Sequence, residues 1–286
     1  MKTITLLEAL TKIPVLSGFE RNSHLQELLM ELLSQYKPVI DSLGNVIVKI
    51  SSGKKKIVIE AHMDEVGFIQ TRNGFATIGS IAEEHIQKEN IVVEEGSKLA
   101  YFKRRFEQEG GIVKSPALDN KVGCAALLLA SEKLKDLDAD LYLAFTVREE
   151  TNKSGILRVM DDLRPETILS VDSAYAQPYH NKRWEVPECG KGPAIQIQGT
   201  NFTIPSYTLI EGVAKREKIP YQFEIVDSDH GGTNLSALSG RKVEKFQINI
   251  PVRYQHTALS EVSLSDIEHA SSLIYEFAKE LSRLQD

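Results

Sequence analysis

The chain has 286 residues, with 34 Lys or Arg against 40 Asp or Glu, and so carries a formal net charge of -6 at pH 7. This balance argues against a nucleic-acid partner, because phosphate neutralisation requires a clustered basic surface. Its 2 cysteines are too few for a disulfide framework or a cysteine metal site, while the length suits one large α/β domain with a small appendage.

The N-terminal segment contains no recognisable targeting signal, because Glu8 and Lys12 interrupt its apolar stretches. No apolar run approaches the roughly 18 residues that a membrane span requires. We therefore predict a soluble, cytoplasmic protein without a membrane partner.

Several long segments carry apolar residues at helical spacing, and they occupy 25–33, 119–135, 206–218 and 265–284. In the last of these, Ser265 is predicted to be the N-cap, because Glu268 follows at the third position. Short β-branched runs that are apolar almost throughout lie between the helices, which is typical of strands covered on both faces. The alternation predicts an α/β fold with a mixed, largely parallel sheet between helices.

Residues 70–114 follow a different pattern. Segments of alternating polarity at 91–94 and 98–102 lie among several glycines, which predicts a small antiparallel β insertion. The catalytic domain would then consist of residues 1–69 and 115–286. The basic run Lys103-Arg104-Arg105 is predicted to be a solvated strand edge, since acidic residues follow it.

Potential metal ligands stand where predicted strands end. His62 follows the run at 56–61, Glu149 and Glu150 close an apolar strand, Asp172 follows 167–171 and His256 comes shortly after 246–250. In open α/β sheets, functional groups gather beyond the carboxyl ends of the strands, so we expect these side chains to meet. Asp119, before a predicted helix, adds a further carboxylate.

Two histidines with three carboxylates form a nitrogen and oxygen set that suits zinc, cobalt or manganese better than calcium or magnesium. Two divalent ions about 3.5 to 4 Å apart can polarise a carbonyl and supply the nucleophile together. The set therefore predicts a hydrolase with two metal ions. Each residue also has a simpler interpretation: Asp119 as a helix cap, Asp172 as the start of a turn, and the others as solvated surface groups.

At this point the order of the motifs becomes recognisable. His-Met-Asp-Glu-Val-Gly at 62–67, Ala-Leu-Asp-Asn-Lys-Val-Gly at 117–123, Phe-Thr-Val-Arg-Glu-Glu at 145–150 and Pro-Val-Arg-Tyr-Gln-His at 251–256 follow one another along the chain. Together with 16–20 and 42–45, they resemble the motifs of the tetrahedral, deblocking or glutamyl aminopeptidases, which are co-catalytic dizinc peptidases. The resemblance spans the whole chain except the insertion.

The resemblance implies a role for each matching residue. His62 and Asp172 would hold one ion, Glu150 and His256 the other, and Asp119 would bridge them. Glu149 would be the general base that takes a proton from the metal-bound water, which gives a hydroxide bound to both metals, and Asp64 would orient the His62 imidazole. Zinc is the expected metal, with cobalt or manganese as alternatives.

The resemblance also extends to a substrate-side loop. His230, Gly231 and Gly232 match that loop, although a plain glycine turn explains them equally well, and Arg253 lies in the last motif. Three places depart from the family pattern: the segment 151–155, the pair Asn120-Lys121, and Asn234, which replaces a frequent aspartate. These departures affect substrate preference more than the chemistry.

In the family, the insertion is a fuller β-barrel that drives dimerisation and assembly into a hollow dodecamer. Here it is short, so we expect only three to five strands. An incomplete sheet leaves an unpaired edge, which predicts a homo-oligomer with a dimer as its minimal unit and a dodecamer as an open possibility.

The sequence thus predicts a metal-dependent aminopeptidase acting on short peptides. One alternative is a catalytically silent relative that serves as an assembly or binding subunit. Another is a glycoside hydrolase of endoglucanase type, although paired carboxylates need no histidines for that chemistry. The sequence leaves open which side chain the enzyme prefers and which metal it carries.

Overall fold

The centre of the molecule is an 11-stranded sheet. The computed structural model describes residues 2–179, 185–198, 204–227 and 232–284. The strands of this sheet, in chain order, are β1 (Val39–Ile40), β2 (Val46–Lys49), β3 (Lys56–His62), β8 (Glu107–Glu109), β9 (Ile112–Ser115), β10 (Asp140–Thr146), β11 (Thr167–Tyr175), β12 (Ala194–Gln198), β13 (Gln222–Val226), β14 (Glu244–Arg253) and β15 (Ser260–Ser263).

The sheet is parallel in the middle and antiparallel towards its edges. Its order is β1-β2-β10-β3-β11-β14-β15-β9-β8, and β12 and β13 branch from β14. Strands β10, β3, β11 and β14 run parallel, whereas β2, β12 and β15 pair antiparallel with their neighbours. The parallel strands are almost fully buried, because helices cover both faces. The predicted mixed α/β fold is confirmed.

Helices flank the sheet on two sides. They are α1 (Thr3–Lys12), α2 (His24–Leu32), α3 (Leu118–Leu134), α4 (Ser154–Leu163), α5 (Ile204–Arg216) and α6 (Leu264–Arg283). One core cluster joins the sheet to α1, α2, α3, α5 and α6, and a second joins the opposite face to α4 and a short helix at Asn234–Leu238. In the described part of the chain, no helix is both long and apolar enough to cross a membrane.

The predicted N-cap of the last helix was wrong. Helix α6 begins at Leu264, so the N-cap is Ser263, which has extended backbone angles and makes no side-chain cap bond. The hydroxyl of Ser265 lies 2.9 Å from that of Ser263 instead. Because β15 runs directly into α6, the strand fixes where the helix starts, and the capping pattern does not decide it.

The small sheet is four-stranded and separate from the large one, with the order β5-β4-β7-β6. Its strands are β4 (Gly67–Thr71), β5 (Gly74–Ile78), β6 (Ile91–Val93) and β7 (Leu99–Phe102). They enclose a small apolar cluster that includes Phe68 and Phe102. The strands that follow, β8 and β9, pair with the large sheet through β15.

Arg104 does not belong to a solvated strand edge, as the sequence suggested. Lys103 and Arg105 are exposed, but the guanidinium of Arg104 forms an ion pair with Glu65, whose side chain is only 2% exposed. A buried carboxylate needs a partner charge, and the turn after β7 brings one to it. Within this basic run, Lys103 and Arg105 therefore face solvent, whereas Arg104 is partly buried.

Candidate metal centre

The predicted ligands meet in a cavity of about 220 Å³ at the carboxyl end of the parallel strands. His62 ends β3, the two glutamates follow β10, and His256 follows β14. Strand β11 continues to Tyr175, so Asp172 lies within the strand and does not follow it, as the sequence suggested. Asp119 enters from the start of α3, where its backbone angles are not helical.

The carboxylate of Asp119 lies between the two histidines. Its Oδ1 is 3.2 Å from Nε2 of His62, and its Oδ2 is 3.2 Å from Nε2 of His256. A second carboxylate lies near the same Nε2 atom of each imidazole: Asp172 at 3.3 Å from His62, and Glu150 at 3.2 Å from His256. One aspartate therefore belongs to two adjoining clusters.

These clusters fit divalent ions. In each, the ligand atoms all lie within 4.8 Å of one another: His62, Asp119 and Asp172 form one group, and Asp119, Glu150 and His256 the other. Oδ1 of Asp119 and Oε1 of Glu150 are buried, and each lies 3.2 Å from an imidazole nitrogen, but neither accepts a hydrogen bond of good geometry from a described residue. Buried acceptors without donors are expensive unless a cation compensates them. Imidazole nitrogen with carboxylate oxygen is the donor set of zinc, cobalt or manganese.

Without ions, the carboxylates of this centre raise the pKa of both imidazoles. Burial alone would lower the pKa of His62, but the charge of Asp172 and contacts with Asp119 raise it well above its usual value. The pKa of His256 is likewise raised well above its usual value, because Glu150 and Asp119 outweigh burial. The same contacts hold the pKa of Asp119 well below its usual range despite burial. Protons and metal ions therefore compete for one set of nitrogens.

Glu149 lines the cavity but belongs to neither ligand cluster. Burial raises the pKa of its carboxyl to about 8. Its Oε1 lies 2.7 Å from Nζ of Lys153, which also donates a hydrogen bond to the Glu149 carbonyl at 3.1 Å. A buried carboxylate with raised pKa, held beside the ligands, has the character of a proton acceptor.

Asp64 connects the two halves of the centre. Its carboxylate is fully buried and accepts hydrogen bonds from the backbone N–H groups of Glu149 at 3.1 Å and Glu150 at 3.2 Å. The same carboxylate is 3.6 Å from Nδ1 of His62, whose ring nitrogen also lies 3.2 Å from the Asp64 carbonyl. Asp64 is therefore placed to orient His62 and also fixes the backbone that carries both glutamates.

The backbone around the ligands adopts conformations that side chains rarely take. Left-handed φ values occur at Ala117 (58°), Arg148 (62°), Lys153 (56°), Tyr254 (54°) and His256 (59°). Residues other than glycine take this region at a cost, and such residues cluster at functional sites. Short, sharply turned loops thus aim the ligands into the cavity.

Asn120 and Lys121, which depart from the family pattern, each donate a hydrogen bond to the backbone next to a proposed ligand. The Asn120 amide donates to the carbonyl of Val171 at 2.8 Å, next to Asp172 in the chain. The buried ammonium of Lys121 donates to the carbonyl of Met63, next to His62. Both side chains therefore hold the backbone next to a proposed ligand in place, a role that the sequence pattern did not reveal.

A buried polar group lies under the centre and was not predicted. Glu60, on β3, accepts hydrogen bonds from the hydroxyl of Thr146 at 3.0 Å and from the amide of Asn234 at 2.9 Å. Burial raises the pKa of Glu60 to about 7. Asn234 supplies a donor that an aspartate in its place would lack. The only sequence signal was a glutamate inside an otherwise apolar strand.

The predicted substrate-binding residues differ in their position relative to the cavity. Gly232 lines the cavity, whereas His230 and Gly231 lie outside the described residues. Arg253 is not among the described residues that line it, because its guanidinium donates to the Gln177 carbonyl at 3.0 Å and pairs with Glu261 at 3.3 Å. The structure therefore gives Arg253 a structural position on β14.

Comparison with known proteins places this arrangement in context. Residues 77–273 match the family model of M42 glutamyl aminopeptidases. A putative aminopeptidase of Acetivibrio thermocellus is 28% identical, with 95% of this chain and 97% of the relative covered. Aminopeptidase APDkam598 of Desulfurococcus kamchatkensis superposes with a TM-score of 0.85 at 26% identity, covering 97% of this chain and 94% of the other.

A further solved structure is similar in fold. The Pyrococcus horikoshii TET1 peptidase, which can assemble into a tetrahedron or a large octahedral shell, superposes with a TM-score of 0.83 at 24% identity. The match covers 98% of this chain and 100% of the other. The fold therefore extends over the full length of both chains.

Proposed function

The chain belongs to the M42 glutamyl aminopeptidase family, a family of peptide-bond hydrolases, and we propose that it removes N-terminal residues from short peptides in a metal-dependent reaction. The observation that carries this proposal is the position of Asp119, with one carboxylate oxygen towards each histidine. A carboxylate shared in this way is what a site for two neighbouring ions requires.

We propose that His62 and Asp172 bind one ion, that Glu150 and His256 bind the other, and that Asp119 bridges them, with zinc as the expected metal and cobalt or manganese as alternatives. When bound, the ions would polarise the scissile carbonyl and lower the pKa of the attacking water. Asp64 would keep the His62 imidazole in the tautomer and orientation that this requires.

Glu149 would be the general base. In this role its carboxylate takes a proton from the attacking water as oxygen bonds to the scissile carbon, and then passes that proton to the departing amine as the C–N bond breaks. Burial beside the ligand clusters supports this role, and the contact with Lys153 holds the carboxylate in one orientation. The cytoplasmic location predicted from the sequence remains a prediction.

One assay distinguishes the proposed aminopeptidase from the two alternatives, a glycoside hydrolase and a catalytically silent subunit. Membership of a peptidase family and two cavity-lining histidines argue against the glycoside hydrolase. A catalytically silent subunit remains the rival, and the complete ligand set with Glu149 argues against it. We expect hydrolysis of amino-acid anilides, sensitivity to a chelator, and no action on a soluble glucan. Metal binding without hydrolysis of any anilide would favour the silent subunit.

We expect zinc binding to release protons and the apparent affinity to fall as the pH is lowered. The reason is that His62 and His256, whose pKa values are raised in the metal-free centre, must lose their protons to bind an ion. Chelation should abolish activity, and zinc or cobalt should restore it. Calorimetric titration in buffers of different ionisation enthalpy counts the protons released.

A matched control for this titration is His24→Gln, which removes an exposed histidine of α2 far from the ligand set. We expect this variant to release as many protons as the parent protein. Full activity after exhaustive metal removal, or zinc affinity independent of pH, would contradict the proposed centre.

We further propose a homo-oligomer in which residues 70–114 form an insertion into a catalytic domain made of 1–69 and 115–286. Strands β5 and β6 end the small sheet, so each leaves an edge that is unpaired within the described chain. Unpaired edges accept partner strands, and small sheets gain rigidity by docking. The shells formed by the TET1 peptidase are consistent with this proposal.

Light scattering should give a mass of at least twice the 32.0 kDa of one chain, and it would also show whether dimers build a dodecamer. Val92→Lys, on the edge strand β6, should lower that mass. Val39→Lys, at an exposed apolar residue of β1 in the other sheet, is the matched control. A fully active monomer would refute the proposal.

A further inference from the structure

One end of the cavity is built from polar side chains that take no part in the ligand clusters. Glu224 on β13 and Gln196 on β12 are register partners, and both line the cavity that holds the metal ligands. On the other side of β12, Asn249 of β14 stands in register with Asp172 of β11. These polar side chains form a row that begins at Asn249, beside the proposed metal ligand Asp172, continues to Gln196 and ends at Glu224.

The hydrogen bonds along this row all point towards Glu224. The hydroxyl of Thr233 donates to Gln247 at 3.0 Å, the Gln247 amide to Asn249 at 2.9 Å, and the Asn249 amide to Oε2 of Glu224 at 2.6 Å. From the other side, the amide of Gln196 donates to the same oxygen at 3.0 Å. These amides therefore direct donors at the carboxylate, which fixes their orientation.

Two oxygens at this end of the cavity, Oε1 of Gln196 and Oε1 of Glu224, are not used by these hydrogen bonds. Oε1 of Gln196 is buried and has no hydrogen-bond partner among the described residues, although the side chain is only 3% exposed. Glu224 is 4% exposed, and both of its bonds go to Oε2, so neither uses Oε1. Lys153, which is the lysine among the described residues that line this cavity, is paired with Glu149. An unsatisfied acceptor beside a buried carboxylate calls for a charged donor.

We propose that this end of the cavity binds a cationic side chain, lysine or arginine, of the substrate's N-terminal residue, with Glu224 as its counter-ion and Gln196 as a second acceptor. The proposal rests on the proposed aminopeptidase function and names its substrate class. Lysine and arginine carry only donors at the tip of a long apolar stem, and so match a site that offers only acceptors.

Distance and charge agree with a long side chain. Strand β13, which carries Glu224, lies three strand spacings from β11, which carries Asp172, or on the order of 14 Å between backbones. The Glu224 carboxylate reaches back across β12 to the amide of Asn249, the register partner of Asp172. A short side chain would leave the acceptors unmatched, and an acidic one would face a carboxylate. Burial raises the pKa of Glu224 to about 7, although Asn249 and Gln196 stabilise its charged form. An ammonium group would compensate the buried charge.

The test compares a cationic substrate with an uncharged one on the same four-carbon stem and with an acidic one. The zinc-loaded full chain is assayed with lysine, norleucine and glutamate p-nitroanilides, of which norleucine has the stem of lysine without its charge. We expect kcat/KM for lysine to exceed that for norleucine by about 10- to 100-fold, because the charge-assisted bond exists only for lysine. Glu224→Gln should remove most of this ratio through a fall in kcat/KM for lysine, and it should keep its zinc content, because Glu224 belongs to neither ligand cluster.

The matched control is Glu211→Gln, which removes one negative charge from the surface of α5, where Glu211 pairs with Lys215. This variant should keep the parent ratio, which separates a local effect of Glu224 from a change in net charge. Equal or better hydrolysis of norleucine or glutamate anilide by the parent protein, or an unchanged ratio in Glu224→Gln, overturns the proposal.

Binding tests the inference even if hydrolysis fails. If no anilide is hydrolysed, the proposed function fails, and calorimetric titration of lysinamide against norleucinamide then decides the specificity alone. We expect lysinamide to bind about 10-fold or more tightly to the parent protein than to Glu224→Gln, and the preference for lysinamide over norleucinamide to shrink in the variant. Equal binding of the two amides to the parent protein would refute the role of Glu224.

Discussion

Replacing Glu149 by glutamine should lower kcat by a factor of about 100 or more while both ions stay bound. The amide has nearly the same shape as the carboxylate but cannot accept the proton of the attacking water. Because Glu149 belongs to neither ligand cluster, the variant should keep its metal content. Steady-state kinetics on an amino-acid anilide, paired with elemental analysis of the same sample, measure both quantities.

The adjacent residue provides the contrast. Glu150 is a member of the second cluster, so Glu150→Gln should lose metal as well as activity. The two variants make the same chemical change one residue apart, and therefore separate proton transfer from metal binding. Near-normal turnover in Glu149→Gln, or loss of metal from it equal to that from Glu150→Gln, would show that the roles are assigned wrongly.

A second large effect is expected for Asp119→Asn, which should lose both ions and fall to the activity of the metal-free protein. Its two carboxylate oxygens serve different histidines, so no neighbouring side chain can replace it. Asp172→Asn should weaken only the cluster of His62 and leave about one ion per subunit. Metal stoichiometry by mass spectrometry distinguishes these outcomes.

A buried aspartate outside the centre serves as the control. Asp266 is fully buried and accepts hydrogen bonds from the backbone N–H groups of Gly190 at 2.6 Å and Gly192 at 2.8 Å. Asp266→Asn should lower the free energy of unfolding yet retain both ions when folded. If Asp119→Asn kept one ion firmly bound, the aspartate would not be a bridge.

The main features of the fold could be predicted from sequence, because the signals are local. Runs of β-branched residues mark the parallel strands, and a polar residue at the end of such a run stands out, as His62 and Glu150 do. Order along the chain then identified Asp119, whose own surroundings are those of a helix start. The grouping of these ligands required only the rule that parallel strands end at one edge.

Other features depend on contacts between distant residues and could not be predicted. Glu224 lies on a short strand with no motif, and its role emerges only when β12 places Gln196 beside it. Arg104 appeared solvated because its partner Glu65 is 39 residues away. The start of α6 was misplaced because the preceding strand, not the capping pattern, determines it.

The position of Asp64 has a consequence for how this centre can change. A single carboxylate reaches the ring of His62, a proposed metal ligand, and the backbone of Glu149 and Glu150, the proposed base and a proposed ligand of the other ion, so neither half can be reshaped alone. A substitution that adapts one position to a larger or softer ion would displace the other position and the base with it. Variation among related enzymes should therefore accumulate at the far end of the cavity, where residues such as Glu224 share no contact with Asp64. Substitutions at that end can therefore change the preferred substrate, whereas the two metal positions and Glu149 can change only together.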